Sequence, residues 1–277
     1  MTEAVKIAQQ YYDGTETDRM YAAIWGGEHI HYGIYTQPDE AIHDASLRTV
    51  ETIAQTLEKI DQNSRVIDLG AGYGGAARYL AKTYGCSICC LNLSQLQNQR
   101  NSQLNQEQNL SHLVEVTQGS FEDIPYPDNS FDIVWSEDAI VHSGDRRLVL
   151  QEIKRVLKPG GELIFTDLMQ SETCPPGTLQ SAFDRLRIND IASYRFYSQT
   201  AKEFGFEELN FIDLSQNLVI HYRRFQEEVQ KRYDEVVQLT STEFVDKTLN
   251  SIQPWIEGDK QGYIQWGILH FRLLEKN

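Results

Sequence analysis

The sequence predicts an α/β fold, one mostly parallel sheet of seven strands with helices packed around it. Three observations carry this expectation. In residues 65–80, RVIDLGAGYGGAARYL, a short apolar run meets a glycine-dense turn and then residues that suit a helix. Beyond that turn, strand-like and helix-like segments alternate, the pattern of parallel strands joined by right-handed crossovers. Near the end, a long charged helix precedes an alternating apolar stretch that reads as a last strand. At 277 residues the chain suits one large domain or one domain with a substantial insertion.

Taken in order, residues 1–20 read as polar-amphipathic helix, with Tyr11, Tyr12 and Tyr21 ahead of the first strand. Residues 24–35, IWGGEHIHYGIY, hold glycines, aromatics and histidines too densely for a simple helix or strand. Such a segment suits a lid over a small ligand, with an arm merely packed on the core as the alternative. Residues 40–61 carry apolar residues at helical spacing. The first strand is the run Val66–Leu69, and the next four fall at 87–93, 113–118, 131–135 and 163–166. A helix at 146–157 ends in Lys158-Pro159-Gly160-Gly161, residues that stop a helix and turn the chain. Residues 168–205 interrupt the alternation with mostly helical sequence. A strand at 207–214, a long helix near 218–237, a shorter one at 243–256 and a final strand at 261–274 complete the chain. The expected organisation is a single domain: N-terminal helices and lid arm (1–61), cofactor-binding core (62–167), inserted helical lid (168–205), and C-terminal strands and helices (206–277).

Bulk properties exclude several function classes. A net charge of −15 and the lack of a dense Lys/Arg cluster argue against binding nucleic-acid phosphates or anionic lipid. The nearest basic pair, Arg223-Arg224, sits in a mixed-charge helix. No apolar run reaches the ~18 residues of a membrane span, and MTEAVKIAQQYYDG has no secretory core. A cytoplasmic protein, monomeric or weakly homodimeric, is the expectation. Cys86 and Cys89 form a C-x-x-C, but no second Cys/His pair follows at ligand spacing. The segment CSICCLNLS reads as a buried strand, and no metal site is expected.

In open α/β sheets ligands sit beyond the carboxyl ends of the strands, so those ends are where chemistry is sought. Gly70 and Gly72 allow close backbone approach to a ligand, and Asp68 beside them could pair an ammonium. Gly70, Gly72 and Gly75 fit the dinucleotide pattern G-x-G-x-x-G, which alone is a weak signal. Asn92, 22 residues after Gly70, ends the second strand and can hydrogen-bond ribose hydroxyls, with Leu93 against an adenine. Ser120 and Phe121 end the third strand, where the base edge would be read. After the fourth strand, Asp138 and His142 are four apart and would share a face on a helical turn. Together they could bind or deprotonate an amine, with a local ion pair as the bland alternative.

Asp68, Gly70, Gly72 and Gly74 also fit D-x-G-x-G-x-G, which resembles the first motif of class I S-adenosylmethionine methyltransferases, a Rossmann-like fold. More narrowly, IWGGEHIHYGIY, DLGAGYGGAARYL, CLNLSQLQNQRN, GSFEDIPY, SEDAIVHS, RVLKPGGELIFTD and WGILHF resemble the sarcosine/dimethylglycine N-methyltransferases of glycine betaine synthesis. The resemblance runs from about Tyr21 to Phe271; the central region is similar, more distantly, to phosphoethanolamine methyltransferases. It implies S-adenosylmethionine as cofactor, held by Tyr21, His31, Asp68, Gly70, Asn92, Leu93, Ser120, Phe121 and Glu137. It implies that Asp138 and His142 hold the amine. The family generally reads Asp-Pro-Met after the fifth strand, where this chain has Asp167-Leu168-Met169, so Leu168 bears on which acceptor is preferred. Met169, Tyr194 and Arg195 are the expected acceptor contacts, with Arg187 a further candidate for its carboxylate. The open alternatives are another small acceptor (a phosphobase, another amine, a natural-product C- or O-methylation) and a SAM-binding protein without catalysis.

Overall fold

The computed structural model describes residues 3–186 and 188–275. The chain opens with α1 (Glu3–Tyr12) and α2 (Thr15–Trp25), where the sequence suggests one helix. Gly14 makes the break: it stands in extended backbone as the N-cap of α2, a position a poor helix former fills readily. An irregular arm leads to α3 (Ile42–Thr56). Then follow β1 (Arg65–Leu69), α4 (Gly75–Tyr84), β2 (Ser87–Asn92), α5 (Gln95–Glu107), β3 (Val114–Gln118) and β4 (Phe131–Glu137). A 3₁₀ turn at Ile140–His142 leads to α6 (Arg146–Val156) and β5 (Leu157–Gln170). The remaining elements are α7 (Gln180–Leu186), α8 (Tyr194–Glu203), β6 (Phe206–Asp213), α9 (Gln216–Lys231), α10 (Tyr233–Leu239), α11 (Thr242–Lys260) and β7 (Ile264–Leu273). Among the described residues no helix is long and apolar enough to cross a membrane.

The strands make one seven-stranded sheet in the order β3-β2-β1-β4-β5-β7-β6. The first five are parallel, and β7 runs antiparallel between β5 and β6. Strand β5 exceeds its expected length because neighbours on both sides satisfy its backbone, β4 on one edge and β7 on the other. The Pro-Gly-Gly segment does end α6. It is then taken into the strand as an irregularity, with Gly160 at φ 78°. The long helix expected at 218–237 divides at Arg232, whose guanidinium donates to the Ala23 carbonyl (2.6 Å) and ties α10 to α2.

Side chains alternate across the sheet. Val66, Ile133, Ile164, Leu168 and Trp266 point into one core layer; Ile67, Val134, Phe165, Met169 and Leu269 point into the other. Cys86, Cys89 and Cys90 are buried free thiols, the core role read from the sequence. The chain runs outward from β1 toward β3 and from β4 toward β5, so a crevice opens where β1 and β4 end side by side.

Candidate active site

The turn after β1 is shaped by what glycine permits. Gly70 stands at φ 81°, and a Cβ there would lie 2.3 Å from the Cβ of Ala139 on the loop after β4. Gly72, at φ 52°, comes within 3.0 Å of Ile30 of the arm by the same measure. The backbone is thus exposed to the crevice while loop and arm close on it from both sides.

Three adjoining cavities occupy this region, bordered jointly by Ile30. The first, of about 580 Å³, takes in Gly70, Gly72, Asn92, Leu93, Phe121 and Glu137. A smaller one takes in Asp68, His31, Gly70 and Glu137. The third, of about 570 Å³, lies under the arm and takes in Tyr21, His31, Asp138 and His142. Of the expected cofactor residues, Ser120 lines none of these. Its hydroxyl accepts from the Glu122 amide (3.1 Å) inside a tight turn that pairs with Asp123, and Gly119 borders the cavity instead.

The strand ends bring three acids together. Burial raises the Asp68 carboxyl well above its ordinary range, and Glu137 adds to the effect. Burial and then Asp138 push Glu137 up to about 8. Its Oε2 lies 3.5 Å from His31 Nε2, while its buried Oε1 finds no hydrogen-bond partner among the described residues. An acid cluster with an orphaned carboxylate oxygen beside an open backbone turn fits a ligand whose amino-acid end carries an ammonium. Asp138 is also raised by burial, against which its donors work. Tyr32 N (2.9 Å) and Trp266 Nε1 (2.7 Å) donate to its two oxygens.

The expected helical face shared by Asp138 and His142 is not what forms. Asp138 takes a left-handed conformation (φ 51°) as β4 ends, and His142 closes the 3₁₀ turn beyond it. Neither is an ion pair with the other: Asp138 binds the arm and β7, and His142 Nε2 meets the Tyr12 hydroxyl at 2.9 Å. Both still border the first and third cavities. Burial, helped by Arg146, lowers the His142 imidazole to about 4, so the ring is neutral at physiological pH. Its turn is pinned from behind, since Val141 N donates to Asp167 Oδ1 (3.1 Å) and Arg146 Nη2 donates to the Val141 carbonyl (3.0 Å). The other oxygen of Asp167 accepts from Tyr197 Oη.

The expected acceptor contacts are elsewhere. Met169 is buried in the opposite core layer, because successive residues of β5 face opposite sides; Leu168, one residue earlier, borders the third cavity. Tyr194 stacks on Phe211 and donates to Glu208 at the sheet edge. Arg195 is largely exposed and lies 3.6 Å from Glu172. Arg187 falls outside the described residues. Of segment 168–205, expected as the lid, Leu168 is the one described residue lining the third cavity.

The covering is done by the arm, the segment 24–35 that reads as a lid, and by α9, which the sequence does not point to. Tyr32, Trp25, His221, Tyr222 and Phe225 complete the walls. The arm is sewn to α9 by Gly33 N donating to His221 Nδ1 (3.2 Å) and Tyr35 N donating to Asn217 Oδ1 (2.9 Å). The trace of this in the sequence is the stripe Leu218, His221, Tyr222, Phe225 and Val229, with a histidine on an otherwise apolar face. Nothing in the sequence singles out Tyr12, because helical spacing does not reveal a partner 130 residues away. Among the described residues no cluster of His, Cys, Asp or Glu could hold a metal ion.

Residues 67–165 match a methyltransferase domain family. The sarcosine/dimethylglycine N-methyltransferase of Halorhodospira halochloris is 46% identical over 98% of this chain and 97% of its own length. The enzyme of the same name from Aphanothece halophytica is 46% identical over 98% and 99%. A crystal structure from Galdieria sulphuraria, described as that of a candidate sarcosine dimethylglycine methyltransferase, superposes with a TM-score of 0.91 at 40% identity. It covers 96% of this chain and 100% of its own.

Proposed function

The chain belongs to the sarcosine/dimethylglycine N-methyltransferase family and is an S-adenosylmethionine-dependent enzyme, and on that premise we propose that it methylates the nitrogen of sarcosine and dimethylglycine to give glycine betaine. One observation carries the reading for this site. The aromatic cavity under the arm shares Asp138, His142 and Tyr12 with the cavity beside the glycine turn, so donor and acceptor would meet at those residues.

When bound, S-adenosylmethionine supplies a methyl carbon already activated by its sulfonium, leaving S-adenosylhomocysteine. The protein's task is therefore to hold and orient. Asp68 and Glu137 would take the cofactor's ammonium, Gly70 and Gly72 its close approach, Asn92 the ribose, and Leu93 and Phe121 the base. His142, neutral and hydrogen-bonded to Tyr12, would accept the proton that sarcosine must lose before its lone pair can attack. Asp138 and the ring of Tyr12, which line both cavities, would stabilise the positive charge that grows on nitrogen. With this goes a cytoplasmic enzyme, monomeric or weakly homodimeric. It would be one domain working on free small molecules without nucleic acid or membrane.

The test is a product assay with S-adenosylmethionine against glycine, sarcosine, dimethylglycine and phosphoethanolamine, read by mass spectrometry. The expected result is betaine from sarcosine and from dimethylglycine. Cofactor binding without turnover on any of the four would discard this acceptor.

A further inference from the structure

Resting on the acceptor assignment above, we propose that the acceptor's carboxylate is held by the paired phenol hydroxyls of Tyr32 and Tyr222, with no lysine or arginine taking part. The cavity has two kinds of wall. Tyr12, Ile30, Asp138 and His142 border the neighbouring cofactor-side cavity as well, so the reacting nitrogen belongs there. In an N-methylated glycine the carboxylate is one methylene from that nitrogen and must point to the wall not shared. Among the described residues that line the cavity there is no lysine or arginine.

The unshared wall offers three phenols. The Tyr21 hydroxyl is engaged with that of Tyr11 at 2.8 Å, and both residues also border an outer cleft between α2 and α11. Tyr32 and Tyr222 do not border that cleft. Their hydroxyls meet at 2.7 Å, and Tyr222 is 3% exposed. Tyr222, buried, and Tyr32, partly buried, stand side by side, and a carboxylate that displaced their mutual bond would accept one O–H from each. The pair also brings together segments 190 residues apart, the arm and α9, so the site would form only with the arm closed.

Neutral donors also suit the chemistry. As the N–C bond forms and the C–S bond breaks, nitrogen's lone pair becomes the bond and nitrogen becomes cationic. The electron pair of the broken bond goes to sulfur. A fixed guanidinium one methylene away would oppose that charge, whereas hydroxyls hold the carboxylate without opposing it.

The experiment compares wild type with Tyr222→Phe and Tyr32→Phe, using dimethylglycine and its neutral isostere N,N-dimethylglycinamide. Affinities are measured by calorimetry in the presence of S-adenosylhomocysteine, and KM by product formation. Each phenol removed should weaken dimethylglycine roughly 10- to 100-fold and leave the amide much less affected, so the carboxylate-over-amide preference collapses. The affinity for S-adenosylhomocysteine reports folding and should hold; if one variant fails that check, the other decides. A preference unchanged in a folded variant overturns the proposal. A wild type that makes no betaine from dimethylglycine overturns the acceptor assignment itself.

Discussion

Tyr12 and His142, 130 positions apart, share a 2.9 Å hydrogen bond with their rings edge to face at 5.3 Å. One comes from the first helix, the other from the 3₁₀ turn beyond β4, and both border the cofactor-side and acceptor cavities. Replacing His142 with Ala should lower kcat on sarcosine by about 10²- to 10⁴-fold. Tyr12→Phe, which keeps the ring and loses the bond, should cost about tenfold. Steady-state kinetics decide; a fully active His142→Ala enzyme would remove the base from the mechanism.

The same histidine sets a pH dependence. Burial lowers its folded-state value to about 4 from 6.5, so between those values the unfolded chain binds a proton that the folded one does not. Stability from this group is therefore complete above about 6.5 and is lost as pH falls toward 4. Thermal melts of His142→Gln should show a shallower acid limb than wild type over that window.

Glu137, pushed up to about 8, is neutral through most of the physiological range without a ligand. A cationic ligand end favours its ionised form, so binding releases a proton and affinity rises with pH until about 8. Calorimetry across pH should show a steeper slope for wild type than for Glu137→Gln. The variant should bind S-adenosylmethionine about tenfold more weakly at pH 8.

Asp167 touches neither cavity, yet it holds Val141 N, one residue before His142. Burial raises this carboxyl to about 7. Asp167→Asn keeps the shape and loosens the charge-assisted hold on the turn, so kcat should fall about tenfold with S-adenosylhomocysteine affinity retained. The pH–rate profile should lose an inflection near 7. An unchanged profile and rate would make Asp167 a core residue only.

Gly70→Ala combines a left-handed backbone with a Cβ 2.3 Å from Ala139 Cβ. It should destabilise the fold by about 2 kcal/mol or more and abolish cofactor binding. Arg195→Ala, by contrast, removes an exposed charge 3.6 Å from Glu172. The KM for the acceptor should stay within about twofold, as surface pairs contribute little.

The sheet, the glycine turn and the acids at the strand ends were legible from the chain alone. Those signals are local: apolar runs of strand length, glycines where only glycine fits, and polar residues at the points where the runs stop. Asp68, Asn92, Asp138 and His142 are found this way, while Glu137 comes from the family resemblance, which rests on the same short stretches. The acceptor cavity was decided by tertiary structure. Its walls come from α1, α2, the arm, the end of β4 with the 3₁₀ turn, the end of β5 and α9, and helical spacing shows only that α9 buries a stripe, not which cavity the stripe meets. Leu168 faces the cavity and Met169 the far core because the pleat's phase is set by pairing with β7. Arg195, whose charge alone suggests a carboxylate partner, lies out at the surface, while phenols brought from distant segments line the cavity.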